Sequence, residues 1–520
     1  MRLPNAVQTI LLVLFVLIAN TNYAQNETFT MTQVGSNNLL NSAWDLNYGP
    51  DNYLWVTEKT TGIVARINPT NGQRDNLIQI ADVSSTGGQD GLIGMAIHPE
   101  LLSTNPYVYV SYTYLAQGQR KQKIVRYTYQ INGSDGSLAS PFILISNLPA
   151  SNDHNSGRLI IGSDHKIYYT IGDQGVKVCN SNLAQFLPTQ QEINTQNWAN
   201  YPGKILRLNP DGTIPSDNPE INGVVSHIYT YGHRNPQGLV FGSNGILYSD
   251  EHGPSSDDEV NIINPGKNYG WPFVAGVKDN LMYDSDGCLT TETSFTAPNY
   301  QDPLLSMFLP NAYKDPACTD SWMCRPNIAP SSIAVYESNA IPNWTNSLLI
   351  TSLKKGRVYR LKLDANGTAV VGEPIQHFYT PNRYRDIVVS PDGKSIYIIT
   401  DNSGKTSDAS GFNQVSSVQN PGAILKFTVN ESLSVENLNA DDVFKTWQNS
   451  TFNKLYIDIK KSNETNFKAE LINPLGQVVK QFTELEAGLN EFNINNAPSG
   501  IYILKLYNSN LFLHKQILLN

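Results

Sequence analysis

Ser390-Pro-Asp-Gly-Lys-Ser-Ile-Tyr-Ile398 joins a tight polar turn to a short run of aliphatic and aromatic residues. Pro, Asp and Gly there punctuate the backbone rather than build an element. The β-branched and aromatic residues behind it favour a pleated, half-buried strand. The unit recurs in Gly49-Pro-Asp-Asn-Tyr-Leu-Trp-Val56, in His98-Pro-Glu with Val108-Tyr-Val-Ser-Tyr112, and in Gly162-Ser-Asp-His-Lys-Ile-Tyr-Tyr169. Gly242-Ser-Asn-Gly-Ile-Leu-Tyr248 and Asn346-Ser-Leu-Leu-Ile-Thr351 repeat it again. Second strands often follow, as in Ile63–Ile67, Lys204–Leu208 and Arg357–Leu363. About six such units predict an all-β chain, read as a β-propeller with insertions between strands, a β-sandwich array being the alternative. In a propeller, loops far apart in sequence meet at one end of a central channel, and the long loops at about 174–200 and 275–330 would wall it.

Composition agrees with a β-rich, turn-rich globular protein: 520 residues with 27 tyrosines, 37 glycines and 29 prolines. A net charge of −9 without a basic tract excludes nucleic acid as a partner. The N-terminus has Arg2, an apolar run from about Ile10 to Ala19, and the small residue Ala24. That pattern predicts a signal peptide over 1–24, the run being short for a membrane anchor. Propeller residues are expected over 25–430, a linker over 431–445 and a small β-sandwich over 446–520, with strands such as Leu455–Ile459, Phe467–Ile472 and Gly500–Leu506. Of four cysteines, Cys318 and Cys324 flank a short loop and are the expected disulfide. Cys179 could pair with Cys288, and no cysteine has zinc-site spacing.

Chemistry concentrates in a few turns. Tyr231-Gly-His-Arg-Asn-Pro-Gln-Gly238 sets Arg234 and Asn235 on a turn. Asp250-Glu-His-Gly-Pro-Ser-Ser-Asp-Asp-Glu259 puts a Gly-Pro carbonyl pair ahead of three acidic residues, which suits a hard cation such as calcium. Arg383 and Arg385 would share one strand face, since residues i and i+2 point the same way. Converging with Arg234, Lys354 and Lys355, they would make a polyanion pocket in a net acidic chain, because the Arg fork matches carboxylates. Taken singly, each would read as an ordinary surface salt bridge rather than as part of a site. His154 lies in the polar turn Asn152–Arg158, and a carboxylate that orients it would make it a general base; alone it would read as a solvated loop residue.

Together these stretches resemble the soluble pyrroloquinoline quinone (PQQ) dependent glucose dehydrogenases of the glucose/sorbosone dehydrogenase family. The resemblance rests on Asn152–Leu159, Ile167–Gly175, Gly203–Gly212, Ile214–Pro219, His227–Leu239, Asn268–Pro272, Ser352–Lys354 and Asn382–Asp386, in order over roughly 35–428. It implies a six-bladed propeller that oxidises an aldose at C1 to the lactone, with hydride transfer to PQQ and electrons passing to an external acceptor, a quinone or redox protein. By that likeness His154 would be the base, Asp173 would orient it, and Arg234 would steady negative charge on the quinone oxygen. Arg234, Asn235, Asn327, Lys354, Arg383 and Arg385 would hold PQQ, while Gln89 and Asp153 would contact the sugar. Gly253 and Pro254 would bind a calcium (Ca2+) that also touches PQQ. A second calcium region at a homodimer contact would map onto Glu259, Tyr269, Ala275, Val277, Asp279 and Glu292.

There are departures. Where glucose enzymes of this type carry Tyr-Ile-Cys-Trp, this chain has Trp322-Met-Cys-Arg325, and the loop after Gly175 is shortened. Trp322 and Arg325 therefore fall at the sugar position; Arg325 could favour an acidic or phosphorylated sugar, or form a salt bridge at the rim. Asn473–Val479, Pro498–Leu504 and His514-Lys515-Gln516 resemble the sorting domain of the type IX secretion system, which implies an exported, secreted or cell-surface protein whose tail meets the secretion machinery. Two other readings remain at this stage: a non-catalytic propeller that binds a sugar or protein, and a calcium-dependent lactonase.

Overall fold

The computed structural model describes residues 27–519 except 134, 177–178, 282–288, 298, 308–321, 431–442, 450–452, 461–466, 475, 496 and 509–511. The signal-peptide expectation, Cys288 and Cys318 lie outside the described residues. Cys179 and Cys324 are each disulfide-bonded. Among the described residues the chain is all-β: its one α-helix is Gln190–Asn194, and no helix is long and apolar enough to cross a membrane. Phe29–Val429 form one compact unit, and Asn430–Asn520 belong to another.

The first unit contains six four-stranded antiparallel sheets. Their first strands are Ala43–Tyr48, Leu92–Ile97, Leu159–Ile161, Pro236–Phe241, Pro330–Tyr336 and Tyr384–Val389. Each packs against the first strands of the neighbouring sheets, and Tyr384–Val389 packs against Ala43–Tyr48, so the ring closes. The sixth sheet takes its outermost strand, Phe29–Val34, from the other end of the chain, paired antiparallel with Ile424–Val429. That pairing ties both ends of the ring into one sheet.

All six turn units seen in the sequence connect the first and second strands of a sheet. Their chemistry is shared: Gly49 N–H donates to Tyr53 O at 2.8 Å, Gly162 to Lys166 O at 2.9 Å, Gly242 to Ile246 O at 2.9 Å and Ser390 to Ser395 O at 2.8 Å. Asp164, Asn244 and Asp392 each accept the N–H two residues on, at 3.0 Å, which is the local Asx closure. Strands such as Ile167–Ile171 and Ser395–Thr400 are buried at every residue. Alternation then feeds both sides: Tyr169 enters the apolar layer with the preceding sheet and Tyr168 that with the following one.

The inner strands approach closely. A Cβ added at Gly94 would lie 1.9 Å from the Gly157 carbonyl oxygen and 2.5 Å from Ser111 Oγ. Gly94→Ala is therefore expected to destabilise the protein by about 1–3 kcal/mol or more in urea unfolding, because backbone must move.

In the second unit, Phe444–Asn449, Lys454–Ile459 and Gly488–Asn493 form a three-stranded sheet. Val478–Leu485, Phe467–Ile472, Gly500–Tyr507 and Phe512–Leu519 form a four-stranded one. Phe444, Leu455 and Ile457 of the first share a core with Phe467, Leu471, Leu504 and Leu506 of the second.

Candidate active site

A cavity of about 410 Å³ lies where the first strands begin, within the range of small-molecule sites. Trp44, Lys59, Gln89, Gln237, His252 and Trp322 line it, with Arg383, Arg385 and Asp401. Five of the six first strands carry a register shift at their start, between Ala43 and Leu46, Leu92 and Gly94, Pro236 and Gly238, Pro330 and Ser332, and Tyr384 and Asp386. Bulges re-aim side chains at sheet ends, and here they set Trp44, Gln237 and Arg385 toward the cavity. The i, i+2 reading of Arg383 and Arg385 is corrected by the same feature. Arg383 precedes the strand and Arg385 occupies the bulge. Both nevertheless reach one carboxylate: Arg383 Nε lies 2.9 Å from Asp401 Oδ2, and Arg385 Nε and Nη2 lie 2.9 Å from its two oxygens. Burial pushes Asp401 up, but the two guanidiniums outweigh it and hold the carboxyl below its ordinary value.

Beside the cavity stands a histidine–carboxylate pair. His154 Nδ1 is 2.7 Å from Asp173 Oδ1, with side-chain exposures of 13 % and 1 %. Asp173 also accepts from Gly175 N–H at 2.9 Å, Asn182 Nδ2 at 2.9 Å and Trp271 Nε1 at 2.7 Å. Burial raises this carboxyl, yet the bond and charge of His154, with Arg234 and Gly175, bring it below its ordinary value. It is an anion with its lone pairs committed.

Gln89 connects the pair to the cavity. Its amide donates to Asp153 Oδ1 at 2.8 Å and accepts from Asn235 Nδ2 at 3.0 Å. Asn235 is fully buried and held by Ser156 Oγ and Gln237 Nε2. Arg234 donates to the His252 carbonyl at 3.2 Å and lies 5.3 Å from the Trp271 ring centroid, while its Nε is buried without a partner among the described residues. Burial, followed by Arg234 and His154, pushes His252 down to about 3, so it stays neutral. Lys354 Nζ donates to Arg325 O at 2.8 Å and to Asn327 Oδ1, and sits 5.4 Å from the ring centroid of Trp322, which lines the cavity. Arg325 Nη1 contacts Ser255 Oγ at 3.1 Å.

In the acidic turn the three carboxylates are each engaged by hydrogen-bond donors. Asp258 accepts the N–H groups of Gly253, Ile328 and Ala329 at 3.0, 2.6 and 2.9 Å, a structural brace. Asp257 is taken by the Ser256 and Ser306 hydroxyls, and Glu259 by Gly276 N–H and Asn261 Nδ2. Strand alternation sends neighbouring acids to opposite faces. What remains for a hard cation is backbone: the carbonyls of Gly253 and Pro254 accept no hydrogen bond among the described residues, nor do those of Tyr269 and Ala275. The Val277 carbonyl accepts Asp279 N–H at 2.9 Å, and Glu292 accepts the N–H groups of Ala275 and Asn280. Burial first, then Asp279 and Asp257 among its neighbours, raise Glu292 to about 7. Among the described residues, no group of three His, Cys, Asp or Glu side chains has metal-binding spacing.

Lys59, Trp44, Asp401 and His252 escape a reading of the sequence. Only Asp401 left a signal: two neighbouring arginines need a counter-charge.

The family model of glucose/sorbosone dehydrogenases matches residues 40–407, and that of the secretion-system C-terminal sorting domain matches residues 447–520. Quinoprotein glucose dehydrogenase B of Acinetobacter calcoaceticus is 42 % identical over 445 residues, covering 78 % of this chain and 92 % of that protein. An aldose sugar dehydrogenase of Escherichia coli is 26 % identical over 70 % of this chain and 88 % of its own length. The PQQ-bound structure of an aldose sugar dehydrogenase from Streptomyces coelicolor superposes with a TM-score of 0.58 at 25 % identity, covering 78 % of this chain and 99 % of that one.

Proposed function

Since this chain belongs to the glucose/sorbosone dehydrogenase family and ends in a secretion-system sorting domain, we propose that it is an exported quinoprotein that oxidises an aldose at C1 to the lactone. The ring of six sheets is read as a six-bladed propeller and the second unit as a β-sandwich. Residues 1–24 are its signal peptide, and the tail is its address for the type IX machinery. The observation that carries the reading is the His154–Asp173 pair standing beside a cationic cavity.

The residues present fit PQQ, a tricarboxylate. Lys59, Arg383 and Arg385 line the cavity, and Arg234 holds a buried Nε with no acceptor among the described residues. Arg234, Asn235, Asn327, Lys354, Arg383 and Arg385 would hold the cofactor, with calcium on the free carbonyls of Gly253 and Pro254. When bound, PQQ supplies the two-electron hydride acceptor. The chain supplies positioning and proton transfer. His154 donates Nδ1–H to Asp173, which leaves the Nε2 lone pair to take the proton from the C1 hydroxyl. The imidazolium then faces an anion already held by three other donors. Gln89 and Asp153, linked at 2.8 Å, would grip the sugar hydroxyls, and Arg234 would offset negative charge developing opposite the base. Electrons leave to an external acceptor.

The test is reconstitution of the full chain with PQQ and calcium, followed by dye reduction across aldoses and uronic acids. Dye reduction requiring both additions, and falling after chelation of calcium, is the expected result. A preference for uronic acids would assign Arg325 to the substrate; the absence of PQQ binding would leave a sugar-binding propeller instead.

A further inference from the structure

Lys59 is the cavity's remaining cation. It follows the strand Leu54–Glu58, and its ammonium donates to Gly88 O at 2.5 Å and Gly87 O at 3.2 Å. Its third N–H has no partner among the described residues. The Trp44 ring takes Lys59 at 5.0 Å and Arg385 at 4.1 Å from its centroid. The charged groups facing it are Arg385, Asp401, Asp90 and Arg383. Asp401 is shared by the two arginines, and Asp90 is paired with Arg120 at 2.9 Å. The lining therefore holds three cations (Lys59, Arg383, Arg385) against one carboxylate (Asp401), a surplus of two positive charges.

We propose that Lys59 is an ionisable member of the anion-binding wall, and that a polycarboxylate cofactor binds this cavity tightly only while Lys59 is protonated. The inference rests on the cofactor reading above. Burial, then the like charge of Arg385, lowers the lysine to about 8, so the wall loses one positive charge within the working pH range. The bound carboxylates, ionised above about pH 5, favour charged lysine. Affinity is thus full below about pH 8 and falls above it, by up to about tenfold per pH unit for one linked proton.

The test is the dissociation constant of PQQ for the calcium-loaded full chain, followed by absorbance from pH 6.5 to 9.5, for the natural protein, Lys59→Arg and Lys59→Met. The natural protein is expected to weaken by about tenfold or more between pH 7.5 and 9.5. Lys59→Arg, charged throughout, should hold its pH 7.5 affinity. Lys59→Met should bind weakly with no slope. A flat profile for the natural protein, or the same slope in Lys59→Arg, overturns the inference while leaving the cofactor reading intact. Weak binding by both variants at every pH would reduce Lys59 to a brace for the Gly87–Gly88 loop and overturn it as well. No binding by the natural protein at any pH overturns the cofactor reading and this inference with it.

Discussion

Replacing His154 is expected to lower kcat by about 10²–10⁴-fold, the usual worth of a positioned general base, while the PQQ dissociation constant stays near that of the natural protein. The separation follows from geometry. His154 contacts Asp173 and the Asp153–Gln89 side of the site, whereas the cations that fit the cofactor are Lys59, Arg234, Lys354, Arg383 and Arg385. The choice of substitution matters because His154 sits at φ +43°. That region favours Asn over Ala, so His154→Asn is the cleaner variant: it has no base but tolerates the turn. Steady-state kinetics beside a cofactor titration checks the prediction. Loss of both activity and cofactor affinity would mean that His154 shapes the pocket rather than moving the proton.

Arg158→Leu is expected to cost about 3–5 kcal/mol of stability, the range for breaking a buried ion pair from one side. The first strands meet at this guanidinium. Arg158 Nη1 lies 2.7 Å from Asp386 Oδ2 and 2.8 Å from Asp45 Oδ2, and Nε donates to Gln237 O at 3.0 Å. Those two carboxylates also take the N–H groups of Leu46 and Met95. Without Arg158 they would face each other buried and unpaired. Burial already raises Asp45 to about 7 against the pull of Arg158. A carboxyl whose folded value exceeds its unfolded one contributes stability below the unfolded value and loses it as pH rises through the folded one. The deficit of Arg158→Leu should therefore be larger at pH 8 than at pH 5.5 in urea melts. Adding Asp45→Asn should recover part of it.

The six turn units were legible because each closes on itself: Asp164, Asn244 and Asp392 bond backbone two residues on, so the signal and its cause sit within one stretch. The closing strand Phe29–Val34 was not, since its partner Ile424–Val429 lies at the other end of the ring and nothing local announces the pairing. The site divides along the same line. His154, Asp173, Arg234 and Asn235 occupy polar turns rich in Gly and Pro, where side-chain chemistry stands out. Trp44 lies within an ordinary strand and Lys59 directly follows another, and they become part of a cavity only through a bulge and the closing of the ring. The roles within the acidic turn were hidden for a related reason: Asp258 and Glu259 are adjacent in sequence but alternate across one strand, and Asp258 serves backbone.

The most direct measurement of the central claim is an anaerobic single turnover of the PQQ- and calcium-loaded chain with an aldose deuterated at C1. One lactone per bound cofactor is expected, formed more slowly from the C1-deuterated sugar and at the ordinary rate when the label is at C2. Turnover without lactone, or at a rate indifferent to the C1 label, would contradict oxidation at C1 by hydride loss.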